Sequence, residues 1–528
     1  MILKASEWKK KFEDFDDIMY QLFELTYGRG QKDLIYERRI TILKMLDRFI
    51  ELYGDEDVVI TRSPGRVNLL GRHIEHRGGS INVMSINRET LLICGKRDDD
   101  IVNMSNMDEK FKSASFSIAD TIGEKKNENW VDYIESDKIL KMVTDSRGEW
   151  SNYVKAAVLR MALEFKQTDM KGMDMLFCGN IPMAAGLSSS SSIVVATTEA
   201  LVALFNLGIV AKDFIHLCGE GEWFVGSRGG SGDHAAMKCG MMDMITHLDF
   251  CPFRIGESVE FPSEYNVVVA NSFVEAKKSD GARDKFNQKV ACYEFGFLLF
   301  KKLYPQYSKK LTYLKHINPE NLGCTDADIY EMLCNIPEYM TLSQIYEMLP
   351  DNKSDIDRIT KSHATPEYYE IRSTLLYGIA ECQRSYKCLD LLRNKDYEGL
   401  GELMSISHNG DRVSRGSMPY DYSAGEKYLK DLIKRYNEGD PKAELCYAPG
   451  GYGCSTETID NLVDFVTAQY GVMGAELSGA GLGGCIIILV KKEFTPNLLD
   501  NLKKHYYDKN NLPMGANVYL PVAGSLAF

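Results

Sequence analysis

Apolar and polar positions alternate along this chain with two different periods, and the period changes divide it into segments. Over the first ~55 residues apolar side chains recur at three- and four-residue spacing (Phe15, Ile18, Met19, Leu22, Leu25) with charges between them, which predicts helix. A run of β-branched residues, Val58-Val59-Ile60, then predicts a strand entering a Pro-Gly turn at Ser63-Pro64-Gly65. The longest apolar stretch, Ile193 to Val210, is broken by Thr197, Thr198, Glu199 and Asn206. A membrane span needs about 20 predominantly apolar residues, so this stretch reads as a buried helix. Asn266–Ala270 (NVVVA) reads as a buried strand, and residues from about 283 to about 400 read as mostly helical. Two similar stretches there, ADIYEML (327–333) and SQIYEML (343–349), are too few for a repeat array and read as an inserted helical pair. Near the end, a glycine-rich turn at 479–484 leads into a strand, Cys485–Val490. Helices and strands mixed in this way predict α+β or α/β layers. No linker rich in Pro, Gly or Ser separates the parts, so a boundary near 260 is a soft one.

Composition narrows the class. The 528 residues are 44% hydrophobic and 26% charged, an ordinary globular mix that excludes a disordered chain, a collagen-like repeat and a disulfide miniprotein. The net charge of −13 argues against nucleic acid or an anionic membrane as the main partner, while leaving room for a local cationic pocket. Thirteen cysteines lie scattered from Cys94 to Cys485 with no CxxC pair, the pattern of reduced thiols in a cytoplasmic protein. The N-terminal residues carry no apolar segment of secretory type.

Three small-residue turns carry the candidate chemistry. In the first, Pro182 to Ser192, a Gly-Leu pair (Gly186, Leu187) and five serines (Ser188 to Ser192) precede the apolar helix. Small residues let backbone N–H groups approach a ligand, and the helix start presents further unpaired N–H groups and its positive dipole end, which suits phosphate. Serine hydroxyls there can ligate Mg²⁺. The bland alternative is an N-cap and a flexible loop. GxxxxGK[ST] is absent, so this is no P-loop. The second turn, Ser478 to Gly484, formally contains GxGxxG in Gly479, Gly481 and Gly484, but a strand follows it, whereas a dinucleotide fingerprint opens a helix. The third, Ser63 to Gly79, gathers Arg66, Arg72, His73, Glu75, His76 and Arg77. HxxH without a third ligand nearby is weak for zinc; a pocket for a polar substrate such as a sugar, or a solvated basic turn, accounts for it better.

In this order and spacing the segments resemble the galactokinase, homoserine kinase, mevalonate kinase and phosphomevalonate kinase (GHMP kinase) superfamily. The likeness is to its galactokinase branch, of the N-acetylgalactosamine kinase type, and runs from about residue 55 to the C-terminus. SPGRVNLLGRHIEHRGG is similar to the galactokinase signature, PMAAGLSSSSS to the phosphate motif and GVMGAELSGAGLGGC to the third motif. The resemblance implies a two-domain α+β fold with the active site in the cleft between domains. It divides the chain into a helical extension (1–55), an N-terminal kinase domain (56–262) and a C-terminal domain (263–528) with a helical insertion near 300–360. It also implies ATP-dependent phosphorylation of a sugar at its anomeric hydroxyl, with Mg²⁺. Arg66 takes the role of the arginine facing the transferring group. Gly186, Leu187, Ser188, Ser189, Ser190 and Ser191 form the nucleotide contacts, with Ser190 on the metal. His73, Glu75, Gly230 and Gly481 belong to the sugar side.

The catalytic aspartate has two candidates, Asp233 and Asp243. CGMMD at 239–243 looks closer to the family pattern, but the distance from Asp233 to Asp249 matches the family spacing to an acidic residue that ends a strand, so Asp233 is preferred. Three departures bear on the substrate: Arg72 stands where galactokinases carry Glu, Glu75 where they carry Asp, and Phe286 where many carry Tyr. The same segment is similar to the galacturonic acid kinase version of the motif. Since Arg offers five donors and suits a carboxylate bidentately, one expectation is that Arg72 meets a C6 carboxylate of a uronic acid. The other is that Arg72 turns outward or pairs with an acid and the sugar is galactose or a near relative. A non-catalytic sugar sensor is a further alternative, disfavoured because Arg66, Ser189, Ser190 and Asp233 all persist.

Overall fold

The computed structural model describes residues 1–123, 129–183, 185–226, 229–275, 280–421 and 424–528, with backbone alone at 280–283. The chain order of strands is β1 (Leu3–Lys4), β2 (Asp57–Leu70), β3 (Ile81–Lys96), β4 (Ile101–Asn106), β5 (Ala114–Ser117), β6 (Met173–Gly179), β7 (Met244–Asp249), β8 (Arg254–Glu260) and β9 (Tyr265–Asn271). Two ribbons follow, β10 (Tyr339–Met340) with β11 (Tyr369–Glu370) and β12 (Ser414–Arg415) with β13 (Met418–Pro419). The last strands are β14 (Val472–Leu477), β15 (Cys485–Lys491), β16 (Ala516–Tyr519) and β17 (Leu526–Ala527). Strands β1 to β8 and β17 make a nine-stranded sheet with the central order β1-β2-β3-β6-β4-β5, antiparallel except for β4 beside β6. A second, four-stranded antiparallel sheet runs β14-β15-β9-β16. With helices over both sheets the architecture is α+β, as expected. No helix among the described residues is long and apolar enough to cross a membrane.

The expected Pro-Gly turn at 63–65 is not a turn. Strand β2 runs straight through it, and its register with β3 shifts between Pro64 and Gly65. Proline has no N–H for the ladder, so an irregularity in the pairing absorbs it. The missing side chain at Gly65 matters as well: a Cβ there would lie 3.0 Å from the Leu187 carbonyl. The strand therefore passes close to the first serine-rich turn and delivers Arg66 to it.

Both faces of β2 and β3 are covered. Val59, Leu92 and Cys94 face a layer formed in part by helices Ser151–Glu164 and Ser189–Phe205. Val58, Ile60, Leu91 and Ile93, on the opposite face by strand alternation, meet Trp8, Phe12, Phe23 and Phe49 of the N-terminal helices. Trp8 also donates to the Val58 carbonyl at 3.1 Å. Each fully buried aromatic contributes roughly 1.5–3 kcal/mol of burial, so the extension is integral to the sheet. Its buried face differs from the expected one. The helix breaks at Phe15, which is left-handed at φ 43°, and Ile18 and Leu25 are 76% and 57% exposed while Phe23 and Tyr27 are buried.

The two sheets share a core: Val67, Leu69, Met84 and Ile86 of the large sheet pack with Val267, Val269, Ile487 and Leu489 of the small one and with Leu403 and Met404 of helix Tyr397–Asp411. The two similar stretches are helices, Asp326–Cys334 and Leu342–Met348, each opened by a capping box (Thr325 with Asp328, Thr341 with Gln344). They pack in one cluster with helices Asp280–Leu303 and Ile371–Arg393.

Candidate active site

Ser188 precedes helix Ser189–Phe205 in a left-handed conformation (φ 59°), after Gly186 at φ 71°. No side chain caps the helix start, which leaves the first-turn N–H groups available for an anion. Arg66 reaches this turn from β2: its Nη1 donates to the Gly186 carbonyl at 2.6 Å, and its Nε and Nη2 both reach Asp233 Oδ1, at 2.8 and 2.6 Å. The other oxygen of Asp233 accepts a hydrogen bond from the Ser188 hydroxyl. Asp233 stands in the first turn of helix Gly232–Cys239 with its side chain 35% exposed. Arg66, Ser188 and Asp233 thus meet at one mouth. Asp243 lies elsewhere, in an exposed left-handed turn (φ 58°) before β7, where burial and nearby Glu260 push its carboxyl up. It lies in neither a strand nor a helix. Asp249 does end β7, where it accepts hydrogen bonds from Ser80 at 2.5 Å and Tyr386 at 3.0 Å. Residues 227–228 of the loop before Asp233 and Ala184 of the serine-rich turn fall outside the described residues.

Ser190 and Ser191, in the first turn of the same helix, converge on a residue that sequence reasoning missed. Ser191 donates to Glu222 Oε2 at 2.7 Å, Ser190 bonds the same carboxylate, and His234 Nε2 lies 2.9 Å from Oε2. Burial alone would raise Glu222; His234 and the two hydroxyls bring it below the ordinary carboxylate value. No local pattern marks Glu222 in the sequence, since it simply ends helix Ala211–Glu222. A carboxylate beside serine hydroxyls at a phosphate-type helix start is a donor set that fits Mg²⁺, which binds one or two carboxylates and completes its shell with phosphate and water.

The second turn closes on the first. A Cβ at Gly186 would lie 2.7 Å from the Ser478 carbonyl, and one at Gly479 would lie 3.0 Å from Gly186 Cα. The Ser478 hydroxyl donates to the Gly186 carbonyl at 3.0 Å. Gly481 packs on the Cys454 carbonyl, 2.1 Å from where its Cβ would fall. The glycines therefore serve backbone-to-backbone contact between two turns distant in sequence.

After β2, Glu75 sits in the short turn Glu75–Arg77 against Gly230 and Gly232, whose Cβ atoms would fall 3.1 and 3.3 Å from its Cγ. Burial would raise its carboxyl, but His76 holds it down at about 2. His73 is left-handed (φ 62°) and stacks on Tyr452 at 4.2 Å between centroids, with Phe286 6.4 Å away. Arg72 is buried and its terminal nitrogens are taken. Nη1 donates to the Leu477 carbonyl at 2.7 Å and Nη2 to Ser407 Oγ at 3.0 Å. Asp411 Oδ2 and Glu476 Oε2 lie 3.2 and 3.6 Å from Nη2. The guanidinium thus pairs with acids of the chain itself and does not stand open to a substrate carboxylate. Asp411 lies 3.4 Å from His73 Nε2 as well. Burial would raise it, yet His73 and Arg72 bring it down to about 2. Glu476, which has no hydrogen-bond partner on either oxygen, is pushed well above the carboxylate range by burial.

Three family models match the chain in order: the galactokinase galactose-binding signature over 47–96, the GHMP kinases N-terminal domain over 152–241 and the GHMP kinases C-terminal model over 428–508. A galactokinase of Dictyostelium discoideum is 24% identical over 511 residues, covering 94% of this chain and 91% of the relative. One of Clostridium acetobutylicum is 26% identical over 472 residues, covering 89% and 94%. The crystal structure of Lactococcus lactis galactokinase complexed with galactose superposes with a TM-score of 0.62 at 21% identity, covering 91% of this chain and 97% of that one, and so shares the fold. The segments matched hold Arg66, Arg72, His73 and Glu75, then Ser188 to Ser191, Glu222 and Asp233, and then the glycine-rich turn, so the chain carries the GHMP kinase N- and C-terminal domains and the galactokinase galactose-binding signature.

Proposed function

We propose that the protein is an ATP-dependent sugar 1-kinase acting on galactose or a close neutral relative. The observation that carries this reading is Asp233, held between the Arg66 guanidinium and the Ser188 hydroxyl at an open helix N-terminus. The triphosphate lies along the first turn of helix Ser189–Phe205. The anomeric hydroxyl oxygen attacks the γ-phosphorus, the bond from that phosphorus to the β–γ bridging oxygen breaks, and ADP leaves with the bond's electron pair. The proton of the hydroxyl passes to Asp233. Arg66, fixed by Asp233 and the Gly186 carbonyl, offsets charge developing on the transferring group. Ser190, Ser191 and Glu222 are the residues that would hold Mg²⁺, which when bound draws charge from the phosphate oxygens.

Arg72 separates the two readings of the substrate. Its two terminal nitrogens donate to Leu477 and Ser407, and the side chain is buried with Asp411 and Glu476 within 3.2 and 3.6 Å of Nη2, which disfavours an incoming carboxylate. By contrast Asp411 Oδ1 and the hydroxyls of Tyr293 and Tyr452, all buried near His73, have no partner, and such groups favour a ligand rich in hydroxyls. ADP release is measured with galactose, N-acetylgalactosamine, arabinose, galacturonate and glucuronate. A neutral sugar is expected to exceed its acid counterpart by at least about tenfold in kcat/KM, roughly 1.4 kcal/mol. Preference for the acid overturns the neutral reading in favour of a uronic acid 1-kinase, and sugar binding without ADP release points to a sensor.

A further inference from the structure

The first turn of helix Gly232–Cys239 carries two consecutive side chains that serve opposite ends of the site. Asp233 turns toward Arg66 and Ser188. His234, only 2% exposed, turns toward Glu222, with Nε2 2.9 Å from the same Oε2 that accepts the Ser191 hydroxyl. Glu222 ends its own helix, where the dipole disfavours a carboxylate, so its orientation depends on donors from outside that helix. Ser191 is one such donor, and the His234 imidazole stands against the same oxygen as a close ion-pair contact. The imidazole is enclosed, and neither ring nitrogen makes a hydrogen bond elsewhere, so Glu222 is the one group its Nε2 meets at this range among the described residues.

We propose that His234 is a positioning residue, fixing the Glu222 carboxylate for the divalent cation that accompanies the nucleotide. The proposal rests on the kinase reading above. Buried donors behind a cation-binding carboxylate set its geometry, and their loss typically weakens metal affinity 10- to 100-fold. One helical turn then couples the two positive charges that offset the negative charge of the phosphoryl group: Arg66 through Asp233 and the cation through His234. A role in folding alone would leave the affinity for the cation unchanged.

The test is Mn²⁺ binding, followed by electron paramagnetic resonance, to the full-length protein saturated with a non-hydrolysable ATP analogue. His234→Leu is expected to weaken Mn²⁺ by about tenfold, with galactose KM unchanged, and His234→Gln, whose amide nitrogen can reach the position of Nε2, to restore it to within about threefold. A folded His234→Leu protein that binds Mn²⁺ as the unchanged protein does overturns the proposal. Should the Leu variant not fold, His234→Asn against His234→Gln decides. The shorter amide cannot reach Glu222, so Asn must be about tenfold weaker, and equal affinities overturn the proposal. Absence of any Mn²⁺–nucleotide binding in the unchanged protein would instead bring down the kinase reading itself, and this inference with it.

Discussion

The mouth at the serine-rich turn and the Arg72 pocket both join arginine to carboxylate, yet they are built on opposite terms. At the mouth one guanidinium and one hydroxyl hold one carboxylate, Asp233, which stays partly open to solvent. In the pocket three carboxyl groups (Glu381, Asp411, Glu476) face two guanidinium groups (Arg72, Arg384), and all five are buried. The surplus shows at Glu476, whose oxygens have no hydrogen-bond partner. The Arg72 backbone N–H donates to Glu381, and its side chain reaches Ser407 and Asp411 on one helix and Glu476 and Leu477 on β14. The difference teaches that charge number does not identify a reacting site. A group that exchanges a proton with a ligand must be reachable, whereas a closed network locks the segment carrying His73 and Glu75 onto the second sheet.

Four expected outcomes would break or sharpen this contrast, the largest first. Asp233→Asn should lower kcat by roughly 10³- to 10⁴-fold with the fold intact, while Asp243→Asn stays within about twofold, both read by steady-state ADP release. If the order is reversed, the mouth is misassigned. Asp411→Ala, which leaves Arg72 short of a buried partner, should cost about 3–5 kcal/mol in denaturant unfolding. Much of that loss should return when Arg72→Met is added, because the uncompensated charge is then gone. Gly186→Ala puts a side chain on a left-handed residue and against the Ser478 carbonyl. A cost of about 1–3 kcal/mol in stability and a lower kcat/KM for ATP are expected.

The smallest effect is on pH dependence. Asp411 and Glu75, held at about 2 in the fold against ordinary values of 3.8 and 4.5, contribute stability that is complete above those ordinary values and is lost as pH falls toward 2. Glu476 has the opposite sign. Its raised value favours the fold while the carboxyl is protonated, and that contribution is lost as pH rises through it. Glu476→Gln should therefore leave acid unfolding unchanged and raise stability by about 1 kcal/mol at pH 8, measured by urea unfolding across pH. A variant less stable than the parent at pH 8 would mean that Glu476 is ionised and bonded to Arg72.

Much of the mouth at the serine-rich turn could be read from the chain itself. Gly186, the serines and the apolar helix behind them are contiguous, so the small residues and the helix start lie together whatever the rest of the fold does. The preference for Asp233 over Asp243 rests on the spacing to Asp249 that the family resemblance implies, and the structure places Asp233 beside Arg66 and Ser188 and Asp243 in an exposed turn. Where pattern reading failed, a distant partner decided. Pro64-Gly65 carries a turn signal, but pairing with β3 keeps it extended. Ile18 and Leu25 have helical spacing, but the face that meets β2 and β3 is the one bearing Phe23 and Tyr27.

By itself, then, the sequence determined mixed helix and strand layers, the three small-residue segments, their order, and the residue types able to bind phosphate and a polar substrate. These follow from local backbone geometry and hydrogen-bonding capacity, which neighbouring residues set. Only the tertiary structure decided that Arg72 pairs with Asp411 and Glu476, that Glu222 joins Ser190 and Ser191, and that Gly186 and Gly479 need their bareness for each other. Each of those contacts joins segments far apart in the chain. Their energies depend on burial and on which charge comes to face which, and packing of the two sheets fixes both.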